Sequence, residues 1–153
     1  MTVSVQSEPF DVAAEMAALT AGDRDIGAVV SFTGLVREMT DAGAISDMTL
    51  EHYPGMTERA LEEIVAEARA RWPLQGVRLI HRYGAMSPGE GIVLVLTASR
   101  HRKAAFEAAE FLMDYLKTRA PFWKKETGAD GGQWVDARDS DGSAAARWEK
   151  SGG

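Results

Sequence analysis

The chain has 153 residues, 45% apolar and 26% charged, enough to bury the core of one domain without disulfides or a structural metal. It contains no cysteine, which excludes disulfides, thiol catalysis and thiolate metal sites together. A formal net charge of −6 argues against a surface that binds nucleic acid non-specifically, and no apolar stretch reaches the length needed to span a bilayer. The first residues, Met1-Thr-Val-Ser-Val, lack a basic region followed by an apolar run, so the expectation is a cytoplasmic protein.

In chain order, Thr2–Val5 alternates as a short strand, and Asp11 can cap a helix through about Leu19. Gly27–Val36 is rich in β-branched residues and predicts a strand, with Gly34 marking a bulge or a close backbone approach. The polar stretch from Glu38 to Ser46 predicts a mobile loop. Asp47–Tyr53 alternates as a half-buried strand that Pro54-Gly55 ends, and Thr57 can cap the next helix, to about Trp72. In that helix Leu61, Ile64, Val65, Ala68 and Trp72 form an apolar stripe against a glutamate-rich outer face, and Pro73 stops it.

Val77–Tyr83 predicts another strand, Ser87–Gly91 a turn, and the nearly all-apolar Ile92–Ala98 a central strand buried on both faces. Ser99 is the expected cap of a second long, largely buried helix, from about Arg100 to Arg119. Pro121 breaks it, and Phe122-Trp-Lys124 follows on an extended but less regular segment. A turn over Gly128–Gly132 and a short strand over Gln133–Ala137 complete a single domain, 1–139, before a polar tail, 140–153, expected to fray. The order lacks regular βαβ alternation, so the expected class is α+β, a mostly antiparallel sheet packed with two long helices.

The charge is unevenly placed. Eight of the 17 Lys and Arg residues lie between Arg100 and Arg138, together with His101, and a local basic site on an acidic protein points to a small anionic ligand. Ser99-Arg-His-Arg102 opens a helix whose exposed N–H groups already favour an anion, so cations there are unfavourable for stability and point to function. Lys117 stands in the last turn of the same helix, and a chain that turns at Pro121 can bring Lys124 back toward it. The bland alternative is a solvated helix end. A helix of about 20 residues is roughly 30 Å long, so one molecule cannot easily join Arg102 to Lys117, whereas a symmetric dimer can. His52, His81 and His101 are too scattered to suggest a metal site, and the two in strands read as satisfied, partly buried histidines. No glycine-rich phosphate loop and no nucleophile elbow is present, and no cofactor is expected.

With these residues gathered, the chain resembles the large, catalytic subunit of molybdopterin synthase, the MoaE family. The matching segments are Phe32-Thr-Gly-Leu-Val-Arg37, Leu50-Glu-His-Tyr-Pro-Gly-Met56, His81-Arg82, Ser99-Arg-His-Arg102, Met113-Asp-Tyr-Leu-Lys-Thr-Arg-Ala-Pro-Phe-Trp-Lys124 and Trp134-Val-Asp-Ala-Arg138. The resemblance implies an α/β-hammerhead fold and a homodimer at the centre of a heterotetramer. Each end would hold a small ubiquitin-like sulfur-carrier subunit of the MoaD type. The carrier's C-terminal Gly-Gly, as a thiocarboxylate, would enter the pocket and give sulfur to cyclic pyranopterin monophosphate. By motif, Lys117 and Lys124 are the implied catalytic lysines. Arg37, His101, Arg102 and Arg138 would bind anions and orient substrate, the last three from the neighbouring subunit, while Phe32 and Met113 would line the pocket. Lys103 departs from the pattern, adding a cation where a small residue is expected. The ending Ser151-Gly-Gly153 looks like a carrier terminus only superficially, because a carrier is a shorter chain. Guanidinium groups suit a cyclic phosphate and a thiocarboxylate, and two ammonium groups crowded into a partly apolar pocket favour release of one proton, leaving an amine as base or nucleophile. The competing reading is a non-catalytic domain that docks a partner's tail or a nucleotide in a basic cleft.

Overall fold

A computed structural model of the chain describes residues 2–40, 43–128, 131–135, 146 and 148. Over residues 2–40, 43–128 and 131–135 it is an α+β fold, as expected, with three helices and two sheets. The first sheet runs β1 (Val3–Gln6), β5 (Leu74–Arg82), β7 (Gly91–Ser99), β2 (Ala28–Leu35), and only the β1–β5 pair is parallel. The second is built on β4 (Gly43–His52), paired with β3 (Met39–Thr40), β6 (Gly84–Met86) and β8 (Phe122–Gly128); β9 (Gly131–Val135) continues it beyond β8.

The alternation of side chains along β5 and β7 decides where the helices sit. Val77, Leu79, Val93 and Val95 face α2 (Met56–Arg71) and α3 (Arg102–Arg119) and form the main core with Leu61, Ile64, Phe111, Leu112 and Leu116. Ile80, Leu94 and Leu96 point the other way, against Phe10 and against Val12, Met16 and Leu19 of α1 (Val12–Thr20). β7 is therefore buried on both faces, as its unbroken apolar run requires. In α2 the predicted stripe is the buried one, and full burial of Leu61 and of Ile64 contributes about 2 kcal/mol each. Gly34 also behaves as expected. The β2–β7 register shifts beside it, and a Cβ there would lie 2.7 Å from Val93 Cγ1.

Several boundaries differ from the sequence expectations. The loop expected over Glu38–Ser46 contains β3 and the start of β4, because β8 supplies backbone partners as far as Ile45 whatever the side chains are. Thr57 does not cap α2. Gly55 does, at φ 84°, with its N–H donating to the Glu58 carboxylate, while the Thr57 hydroxyl donates to the Tyr53 carbonyl from inside the first turn. Ser99 does not cap α3. It ends β7, its hydroxyl donating to the Pro73 carbonyl, and His101 is the N-cap residue, with no side-chain capping bond. β6 was not anticipated, β5 begins earlier than predicted, and β9 starts two residues sooner than Gln133. The segment carrying Lys124 is not irregular but a strand paired on both sides.

Of the tail, 140–153, only Ala146 and Trp148 are described. Trp148 lies edge-on to the rings of Trp72 and Phe111, its indole N–H donates to the Asp114 carboxylate at 2.7 Å, and its carbonyl accepts from Arg71.

Candidate active site

The break after α3 carries the two lysines that the sequence singles out. α3 ends at Arg119, Ala120 is extended, and the Phe122 N–H donates back to the Ala120 carbonyl across Pro121. The chain then enters β8, where Phe122 faces His52 of β4, and Lys124 stands between Leu50 of β4 and Val135 of β9. Phe122 and Lys124 share one face of the strand, since side chains alternate. Trp123, on the opposite face, packs on Tyr53 with ring centroids 4.7 Å apart.

Phe122 touches both the main core and a second apolar cluster of Val36, Met48, Leu50 and Met86. Its ring stacks on His81 of β5, centroids 3.8 Å apart and planes 19° from parallel. His52 lies 6.0 Å from the same ring, tilted, and its Nδ1 is 3.1 Å from the Thr57 hydroxyl. His81 is buried, and its Nδ1 lies 2.9 Å from the Arg82 carbonyl oxygen. A carbonyl only accepts, so Nδ1 carries the proton and Nε2 is bare. Burial pushes the His81 pKa down to about 3, and the positive charges of Lys117 and His52 push it the same way, against the backbone bond. Lys117, exposed in the last turn of α3, is thus close enough to act on the ring that stacks beside the Lys124 strand. The His81–Phe122 stack thus lies within the electrostatic reach of Lys117 and at the start of the strand that carries Lys124.

The other expected residues divide by location. Met113 is half-buried one helical turn before Lys117 and packs on the main core. Arg37 is exposed and follows Val36, a member of the cluster that holds Leu50 and Phe122. Phe32 sits on the edge strand β2, 41% exposed. His101 and Arg102 are exposed at the opposite end of α3, and the 15 residues from Arg102 to Lys117 place them about 22 Å apart along the axis. One chain does not bring them together. Arg138 lies outside the described residues. Lys103 is exposed and pairs loosely with Glu107, at 3.9 Å. Among the described residues, no three His, Cys, Asp or Glu side chains are grouped to hold a metal, and no helix is long and apolar enough to cross a membrane.

Residues 5–119 match the family described as MoaE protein. The chain belongs to the MoaE family. It is 61% identical over 152 residues to the molybdopterin synthase catalytic subunit of Mesorhizobium japonicum, covering 98% of this chain and 94% of that one. Its identity to the subunit of the same name from Pseudomonas aeruginosa is 55%, over 98% of this chain and 100% of that one. Among solved structures, the MoaE protein of Burkholderia ambifaria superposes with a TM-score of 0.83 at 52% identity, covering 97% of each chain. The molybdopterin synthase of Staphylococcus aureus superposes with 0.80 at 32% identity, over 86% of this chain and 95% of that one. The family match ends at Arg119, but the relatives' coverage carries the likeness through the MoaE strand that holds Lys124.

Sequence reasoning read His81 and His52 as satisfied, partly buried histidines, and both are hydrogen-bonded, but it did not foresee that their rings meet at Phe122. Their burial was foreseeable; their convergence on Phe122 depends on the β4–β8 register, which no local pattern reveals.

His81 also gives the fold a pH dependence. Its proton affinity is lower folded than unfolded, so its contribution to stability is complete above about pH 6.5 and is lost as the pH falls toward about 3, at no more than about 1.4 kcal/mol per pH unit. Urea unfolding between about pH 7 and about pH 5 should show wild-type stability falling more steeply than that of His81→Asn. Equal slopes would mean that the histidine is charged in the fold.

Proposed function

We propose that this chain is the catalytic subunit of a molybdopterin synthase. It would transfer sulfur from the C-terminal thiocarboxylate of a small ubiquitin-like carrier to cyclic pyranopterin monophosphate, and so build the dithiolene of molybdopterin. The observation that supports the reading is that the strand bearing Lys124 begins at Phe122, whose ring stacks on a buried His81 that feels the charge of Lys117. Each transfer forms a carbon–sulfur bond at a side-chain carbon of the pterin, where a carbon–oxygen bond breaks and its oxygen leaves as water or stays on the opened phosphate, and breaks the acyl carbon–sulfur bond of the carrier. Water adds to that acyl carbon and leaves the carrier's tail as a carboxylate. A lysine amine serves either as the base that takes water's proton or as a nucleophile that first takes the acyl group and is then hydrolysed. No electrons are exchanged, which suits a protein without cysteine.

The substrate's phosphate and the carrier's thiocarboxylate need cations. Arg37, which follows Val36 of the cluster that holds Leu50 and Phe122, would supply one of them, while His101, Arg102 and Arg138 would come from the second subunit of a homodimer. Two facts support that assembly: the length of α3, and the apolar surface left exposed at Phe32, Leu35 and Phe106. The test is to mix the purified protein with a thiocarboxylated carrier and the cyclic pterin and to assay molybdopterin. Production is expected, from a protein that sediments as a dimer before carrier is added. Carrier binding with no product would instead favour a docking domain.

A further inference from the structure

His81 has no assigned part in the chemistry, yet it touches the β8 segment that begins beside Lys124 and lies within electrostatic reach of Lys117 on α3. Its ring is oriented from one side by the Nδ1–H bond to the Arg82 carbonyl and covered on a face by Phe122. β5 itself is paired on both edges, Val5 of β1 and Val93 of β7 lying opposite His81, so the ring projects from an interior strand of the first sheet. Phe122 is the first residue of β8 and the first after the Pro121 turn. Whatever fixes Phe122 therefore fixes how the chain leaves that turn, and with it the separation of a lysine three residues before Ala120 from one four residues after it. An aromatic pair of this kind adds about 0.5–1.5 kcal/mol beyond simple burial, enough to select one exit from a turn.

We propose that His81 is a positioning residue for the two-lysine site: its ring, held by Arg82 and stacked on Phe122, sets the placement of Lys124 relative to Lys117. The inference rests on the sulfur-transfer reading for its kinetic consequence, but its structural consequence is read separately. Three variants divide the roles of the ring. His81→Ala removes the stack and the hydrogen bond, His81→Asn keeps a donor for the Arg82 carbonyl without the ring, and His81→Phe keeps a ring without the donor.

Hydrogen exchange followed by mass spectrometry on the full chain should show faster exchange over residues 117–124 in His81→Ala and His81→Asn. His81→Phe and the α2 peptides should exchange as in wild type. In the carrier-dependent assay the same two variants should lose about 10²-fold in kcat, the scale of a displacement of about 1 Å, while carrier affinity stays within about twofold. Phe122→Ala should lose as much, and the double variant with His81→Ala no more than either alone. Wild-type exchange at residues 117–124 in folded His81→Ala would overturn the inference. So would faster exchange spread equally into α2, losses that multiply in the double variant, or a His81→Phe protein as impaired as His81→Asn. Should His81→Ala fail to fold, the Asn and Phe variants decide the matter between them. Absence of molybdopterin from the wild-type reaction, with the exchange pattern as expected, would sink the functional reading alone.

Discussion

Lys117→Ala is expected to lower sulfur transfer by about 10²–10⁴-fold, the range that a positioned acid–base group contributes. Lys117→Arg should fail almost as badly. Guanidinium keeps the positive charge but does not deprotonate in proteins and does not attack a carbonyl. Single-turnover assays with saturating thiocarboxylated carrier separate the chemical step from binding, and carrier affinity should be unchanged in both variants. If Lys117→Arg keeps most of the wild-type rate, the residue only anchors an anion. The less regular segment that the sequence predicts beyond Pro121 would make Lys117 the better-placed of the two lysines. The structure removes that reason: Lys124 stands on a regular strand, opposite Leu50 on one side and Val135 on the other. A comparable loss is therefore expected for Lys124→Ala.

The second large effect concerns the partner. A carrier shortened by its last two glycines should still bind, because in the proposed complex its folded body would dock outside the pocket, but it should support no sulfur transfer. The reacting atom is then about 7 Å short of the lysines, at roughly 3.3–3.6 Å per extended residue, and the geometry of attack is lost altogether. Glycine is also the residue that can pass a crowded entrance in any backbone conformation. Measured turnover with the shortened carrier would contradict a threaded tail.

How much of this could be read from the chain depended on how local the cause was. The stripe of Leu61, Ile64, Val65 and Ala68, the doubly buried Ile92–Ala98 run and the break at Pro121 are written in consecutive residues, and the structure has them where they were predicted. Helix starts were misread because several residues competed for each cap. Ser99 and Thr57 have the right hydroxyls, but the Ser99 hydroxyl is used by Pro73 and the Thr57 hydroxyl by Tyr53, and the starts fall at His101 and Gly55. The polar half of β4 was taken for a loop because its strand character comes from β8, 80 residues away in sequence. The lysines were legible as a pair around a proline. The stack of His81 on Phe122 was not, because only the packing of two sheets brings β5 against the start of β8.

The two ends of α3 have a consequence for subunits of unlike genotype. In a homodimer of the proposed kind, each pocket draws Lys117 from one chain and Arg102 from the other, since 15 residues of helix separate them. Two defective proteins, Lys117→Ala and Arg102→Ala, then form a hybrid in which one pocket collects both lesions and the other collects none. Co-expressed, the pair should restore activity that neither has alone, approaching one intact pocket for every hybrid dimer. A site built wholly within one chain gives no such rescue.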